Sequence, residues 1–158
     1  MGDDLSRAAR RVQDALVSHG LTAQVRELPG STRTAADAAA TLGCEVGAIA
    51  NSLIFMADGD PLLVMTSGAH RVDTKQLAHR IGVGRIARAT PEQVRDATGQ
   101  AIGGVSPVGH PAPIRTVVDR ALAAFETVWA AAGTPHAVFP TTFDELVRIC
   151  DGIPEDVD

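Results

Sequence analysis

Apolar positions along this chain change period several times, and each change marks an element. Leu5, Ala8, Val12, Ala15 and Leu16 recur at helical spacing, which predicts an amphipathic helix over 4–19 that stops at Gly20. The segment TAQVREL, 22–28, alternates as a strand does and ends at Pro29-Gly30. Thr34, with Asp37 three residues on, reads as the cap of an Ala-rich helix ending at Gly43. The apolar run from Ile49 to Ala57 reads as a buried strand, Asp58-Gly59-Asp60 as a tight hairpin, and Pro61 to Thr66 as the return strand. A helix follows over Asp73 to Ile81, stopped by Gly82, and then a short strand over Gly84 to Ala87.

Thr90-Pro91-Glu92-Gln93 combines a cap, a proline at the first helical position and a glutamine at the third, so a helix starts there and closes at Gly99. Ile114 to Val118 and His136 to Phe139 read as strands, and Thr142 with Glu145 opens a last helix that ends near Cys150. Residues 120–132 fit either a helix or a strand plus a turn. The order mixes helices and strands without regular βαβ alternation, which points to an α+β or irregular α/β sheet domain, one unit over 1–158.

Composition narrows the function. Apolar residues are 45% and charged residues 21%, a globular profile, and no apolar run approaches the roughly 20 residues of a membrane span. The N-terminal MGDDLSRAARRVQ lacks an apolar signal region, so a cytoplasmic location without membrane contact is expected. Aromatics are 3% with no tyrosine, so stacking platforms for nucleic-acid bases are scarce. Cys44 and Cys150 fit no metal spacing, and the five histidines form no HExxH or paired pattern, so no metal is expected. Net charge is −5, yet Arg71, Lys75, Arg80, Arg85, Arg88 and Arg95 face only Asp73 and Glu92 between 71 and 95, a local +4. Such a patch is either a solvated helix face or a phosphate contact.

The segment AIGGVSPVGHP, 101–111, carries the candidate chemistry. Gly103, Gly104 and Gly109 permit positive φ and close backbone approach, and Pro107 stiffens the loop. A loop of this kind is either an ordinary turn or a cluster of N–H groups aimed at an anion or oxyanion. No GxGxxG follows a strand and no Walker A lysine is present. Ser106 sits in GVSPV rather than GxSxG, so a nucleophile elbow is absent.

Four stretches then occur in a telling order: STRTAADAAATLGCEVGAIANSLIF (31–55), SGAHRVDTKQLAHRIG (67–82), RATPEQVRDATGQAIGGVSPVGH (88–110) and VWAAAGTPHAVF (128–139). Together, over about 5–150, they resemble the YbaK/ProX family of prolyl-tRNA editing proteins, which are similar to the insertion domain of bacterial prolyl-tRNA synthetase. The resemblance implies a central mixed β-sheet flanked by helices. It implies a free-standing deacylase that hydrolyses the ester of a mischarged tRNA, such as tRNA for proline carrying Cys or Ala, with no metal or organic cofactor. Aminoacyl-tRNA is then the partner, with prolyl-tRNA synthetase as a further one.

The same resemblance places Gly103 to Gly109 at the ester and makes the Gly104 backbone functional. Gly104→Ala is then expected to lower turnover with little effect on folding. The catalytic set is Gly103, Gly104, Ser106 and Asn51. Ser52, Thr32, Thr34, Pro107, Gly109 and His136 form the candidate substrate pocket, and His70, Arg71 and Arg80 are candidate tRNA contacts. Each also has a plain structural alternative: a loop hydroxyl for Ser106, a helix cap for Thr34, a surface position for His136 and His70.

One position departs from the family. A lysine usually stands where this chain has Asn51, in Asn51-Ser52-Leu53, and the chain's only lysine is Lys75. Asparagine donates a hydrogen bond but cannot neutralise a phosphate. Two readings follow: the same reaction with an altered contact or substrate, or a non-catalytic tRNA- or nucleotide-binding protein on the same scaffold.

Overall fold

In the computed structural model, residues 5–29 and 34–158 are described, and they form five α-helices and one mixed eight-stranded sheet. The centre is the hairpin of β2 (Ile49–Ala57) and β3 (Asp60–Ser67), paired over its whole length from Ala50↔Ser67 to Ala57↔Asp60. Its turn puts Asp58 and Gly59 at φ of 50° and 89°, the left-handed region that the Asp-Gly pair tolerates. The sheet order is β1-β7-β6-β2-β3-β5-β8, with β4 also on β2. These strands are β1 (Arg26–Glu27), β4 (Ile86–Arg88), β5 (Arg115–Asp119), β6 (Val128–Ala131), β7 (Ala137–Thr141) and β8 (Ile153–Glu155).

Strand alternation separates two apolar faces. On one, Ala50, Ile54, Leu63, Met65, Val118 and Phe139 pack with α1 (Arg7–Ser18), α4 (Pro91–Thr98) and α5 (Phe143–Cys150) through Val12, Leu16, Val94, Leu146 and Ile149. On the other, Phe55, Leu62, Val64 and Val117 meet Leu77 and Ala78 of α3 (Thr74–Ile81). Beside them Ile49 meets Ala38 and Ala39 of α2 (Ala35–Leu42). The helix starts follow their caps: Thr34, Asp73, Thr90 and Thr142 each accept the N–H three residues on, and Thr90 with Gln93 completes a reciprocal capping box.

Three sequence expectations need correction. The strand expected over 22–28 is paired only at Arg26–Glu27, because Gln13 draws the intervening chain onto α1: its Oε1 accepts from Val25 N at 2.7 Å and its Nε2 donates to the Ala23 carbonyl at 3.1 Å. The ambiguous stretch 120–132 is a 3-10 turn, Arg120–Ala124, followed by β6. The last strand, β8, was not expected; it lies parallel to β5, a pairing between segments with no alternation to announce it.

One feature of β2 positions the site. β3 occupies one edge throughout. The other edge is covered at its start by β6, at Ile49 and Ala50, and at its end by β4, from Phe55 to Ala57. Between them the edge at Asn51 to Leu53 pairs with no strand among the described residues. The Ile49 carbonyl points to the β3 side, accepting from Gly68, and the Ile54 carbonyl points to the β4 side, accepting from Ala89. By alternation the N–H and C=O of Ser52 face the gap.

Asp119 ties the end of β5 to the end of β3. It is 1% exposed, and its carboxylate accepts from Ser67 N at 2.9 Å, Ala121 N at 2.9 Å and His70 Nδ1 at 3.0 Å. Hydrogen bonds to a charged group contribute about 1.5–3 kcal/mol each. Asp119→Ala is expected to lower the unfolding free energy by about 3 kcal/mol in a urea titration; a loss under about 1 kcal/mol would show that the clamp is dispensable.

Candidate functional site

The gap in the β2 edge opens into a groove of about 770 Å³. Its floor is Ile49 to Leu53, its walls are Trp129 to Ala131 of β6 and Thr34, Ala35 and Ala38 at the start of α2, and its rim is Ile102 to Val105 of the glycine loop, with Arg71, Arg88 and Thr134. An apolar side recess of about 150 Å³ continues from it past Ile54, Phe55, Ala89 and Val94. Ile102 is 61% exposed and Leu53 38% exposed at this mouth, an unusual placement for large aliphatic side chains.

The glycine loop is held from inside. Ser106 N donates to Gln100 Oε1 at 2.8 Å, Gln100 Nε2 donates to Ser106 Oγ at 3.0 Å, and Ser106 Oγ donates to the Val108 carbonyl. His110 Nε2 lies 2.9 Å from the Ser106 carbonyl; a carbonyl only accepts, so that nitrogen carries the proton. The loop is held from outside as well, since Gly133 N donates to the Gly104 carbonyl at 2.8 Å. No acceptor among the described residues engages the N–H groups of Gly103, Gly104 or Val105. These three consecutive donors belong to a braced loop segment that lines the groove.

Gly103 and Gly104 are glycines for different reasons. Gly103 has φ 93° with nothing near an added Cβ. At Gly104 a Cβ would lie 2.4 Å from the Thr134 carbonyl carbon and 2.7 Å from its oxygen. The expectation that Gly104→Ala spares folding is therefore corrected: the two backbones are in contact, and a methyl group forces them apart.

The groove brings together Asn51, Ser52, Thr34, Gly103, Gly104 and Arg71 from the sequence-derived set. Thr34 lines the groove and also caps α2, its Oγ1 accepting from Asp37 N at 3.0 Å. Thr32 lies outside the described residues. Ser106 and Pro107 are buried in the loop and do not line the groove; the Ser106 hydroxyl is committed to the Val108 carbonyl. Gly109 lines a separate cavity of about 370 Å³ between α1 and the far side of the loop. His136 is exposed and off the groove wall, held through its backbone to Thr134 Oγ1 and Leu28 N. His70 is spent on Asp119, and Arg80 donates to the carbonyls of Asp156 and Asp158 at 3.0 and 2.8 Å.

Sequence reasoning missed Arg88, Trp129, Thr134 and the braces Gln100 and His110. Arg88 was visible only as part of a charge run, and the braces act through loop closure, which no spacing rule encodes. Arg26 stands over the Trp129 ring, 5.1 Å from its centroid. Among the described residues no three His, Cys, Asp or Glu side chains cluster as metal ligands would. No helix among the described residues is long and apolar enough to cross a membrane. Burial pushes the Cys150 thiol up to about 12, which leaves it an inert core group, and burial also raises the Cys44 thiol.

Two outcomes are expected from this geometry. Gly104→Ala should destabilise the fold and lower groove function together, while Gly103→Ala should cost only about 1–2 kcal/mol of backbone strain; equal unfolding midpoints for the two variants would contradict the close contact. The second concerns His110. Burial lowers its imidazole below the ordinary 6.5, partly offset by the bond to the Ser106 carbonyl. The unfolded chain therefore takes up this proton first, so stability is full above pH 6.5 and is lost as pH falls through 6.5 toward the depressed folded value. Urea titrations at about pH 7 and about pH 5 should show a larger loss in the parent protein than in His110→Gln; identical losses would remove His110 as the titrating brace.

Comparison with known proteins identifies the family. The profile of the aminoacyl-tRNA editing domain matches residues 30–149. YwhH of Bacillus subtilis (strain 168) is 32% identical over 123 residues, covering 77% of this chain and 78% of that protein. A proline–tRNA ligase of Nitratidesulfovibrio vulgaris (strain DP4) is 32% identical over 94 residues, which span 60% of this chain and only 16% of the ligase. A crystal structure described as a candidate trans-editing enzyme for prolyl tRNA synthetase superposes with a TM-score of 0.93 at 44% identity, over 98% of this chain and 99% of that one. The chain belongs to the aminoacyl-tRNA editing domain family, in its YbaK/ProX-like branch.

Proposed function

We propose that this protein is a trans-editing aminoacyl-tRNA deacylase acting in the cytoplasm, and that it removes a small amino acid from the 3′ end of a mischarged tRNA, with tRNA for proline the leading candidate. The observation that carries this reading is the row of N–H groups at Gly103, Gly104 and Val105, without acceptors among the described residues, beside a groove that also holds two arginines. In the reaction water adds to the ester carbonyl, the acyl carbon–oxygen bond breaks, and the ribose oxygen leaves with a proton. Negative charge grows on the carbonyl oxygen, where the loop donors stabilise it; each such donor is worth about 10²–10³ in rate.

No Asp, Glu or His lines the groove among the described residues, so no protein base stands ready to take the water's proton. Positioning and electrostatic stabilisation carry the reaction, and the substrate's own groups or solvent move the proton. Asn51 and the inward-facing N–H and C=O of Ser52 orient the substrate at the gap. The apolar side recess limits what side chain enters, with one methyl group worth about 1–3 kcal/mol of discrimination. Arg71 and Arg88 supply the positive charge that Asn51 lacks.

A second reading rests on Asn51 itself. Without the family's lysine the site would bind tRNA or a nucleotide and hydrolyse nothing. Hydrolysis of tRNAs charged with Cys, Ala, Ser, Thr and Pro separates the two. Cleavage of one or two mischarged species with Pro-tRNA spared is expected, and no cleavage with tRNA binding retained would establish the binder. Asn51→Lys should raise the rate or shift the substrate range, and an unchanged rate and range would remove Asn51 from the site.

A further inference from the structure

Five of the six basic residues between 71 and 95 divide among three places. Arg80 is tied to the chain's last residues through the Asp156 and Asp158 carbonyls. Arg71 and Arg88 line the groove. Lys75 and Arg85, joined by His79, converge instead on a separate recess of about 480 Å³ between α3 and the segment that leads into β4. Lys75 and His79 stand four residues apart on α3, on one helix face, and all three side chains belong to exposed residues.

Neither Lys75 nor Arg85 has an ion-pair partner among the described residues. Asp73 caps α3 through Gln76 N, and the Asp58 carboxylate sits beside the recess, accepting from Gly84 N and Arg85 N at 2.9 Å each without pairing with the Lys75 or Arg85 side chain. Two side-chain cations and a histidine converging on one concave surface attract anions locally, even on an acidic chain of net −5. Position fits the same end. Arg85 directly precedes β4 and Arg88 ends it, three residues on, which is at most roughly 10 Å of chain at about 3.3 Å per residue. Arg88 reaches the groove while Arg85 reaches the recess.

We infer that the recess formed by Lys75, His79 and Arg85 is a second anchoring site, which holds the phosphate backbone of the acceptor arm while the groove holds the 3′ end. This rests on the deacylase reading for what occupies the groove. The recess contributes affinity and register for the nucleic acid and no chemistry at the ester. Phosphate contacts of this kind carry no base specificity and strengthen as salt is lowered.

The test uses Lys75→Gln with Arg85→Gln in the full chain, checked for an unchanged unfolding midpoint. Binding to whole tRNA is titrated across salt concentrations. Two lost phosphate contacts should flatten the slope of log K against log salt by about 1.8 and weaken binding about tenfold or more at low salt. Hydrolysis of a short aminoacylated CCA fragment should stay at the parent rate. An unchanged salt slope overturns the inference, and so does an equal loss on fragment and whole tRNA, which would place the effect in the groove. Weaker competition by inorganic phosphate than by uncharged tRNA is expected, and equal competition at matched phosphate concentration would reduce the site to a simple anion pocket. Parent protein that binds tRNA with the steep slope but cleaves neither substrate would leave the anchoring site standing and sink the deacylase reading.

Discussion

Everything at the candidate site follows from how the edge of β2 is shared. A nine-residue central strand is covered on one side by β3 and on the other only at its two ends, by β6 and β4. A buried strand edge without partners leaves main-chain donors and acceptors unmet, a cost of about 1–3 kcal/mol for each group. Here the unpaired stretch is short and opens to a groove, so solvent or a ligand completes it. β6, α2 and the glycine loop frame that opening rather than fill it. The site is an interruption of the fold's own hydrogen bonding, lined by the residues that frame it.

The second constraint is backbone against backbone. Gly104 touches the Thr134-Pro135 peptide, Gly133 donates to Gly104, and Gln100, Ser106 and His110 close the loop on itself. Under the proposed reaction a loop fixed by so many bonds does not need to reorganise as charge grows on the substrate oxygen, the condition under which fixed donors are most effective. Ser106 is part of that rigidity: its hydroxyl shapes the donors' positions and touches no groove atom.

Local order was well written into the chain. The caps at Thr34, Thr90 and Thr142 and the Asp-Gly turn were legible because each satisfies its own neighbours within three or four residues. The resemblance brought Asn51, Ser52, Gly103 and Gly104 to one site, and the groove does assemble them. What escaped were long-range partners. Arg80 and His70 read as surface cations until their distant acceptors, the terminal carbonyls and Asp119, come into view. β8 and the truncated β1 depend on which strand lies beside them, and Gln100 on a serine six residues on, information that periodicity does not carry.

Trp129 gives the molecule an optical property. It is the chain's single tryptophan and stands in the groove wall with Arg26 over its ring. With no tyrosine in the chain, ultraviolet emission comes almost wholly from that one indole. The protein thus carries a built-in lamp at the mouth of its own site, so occupancy of the groove is readable from the unlabelled molecule, and so is any motion that lifts the arginine from the ring.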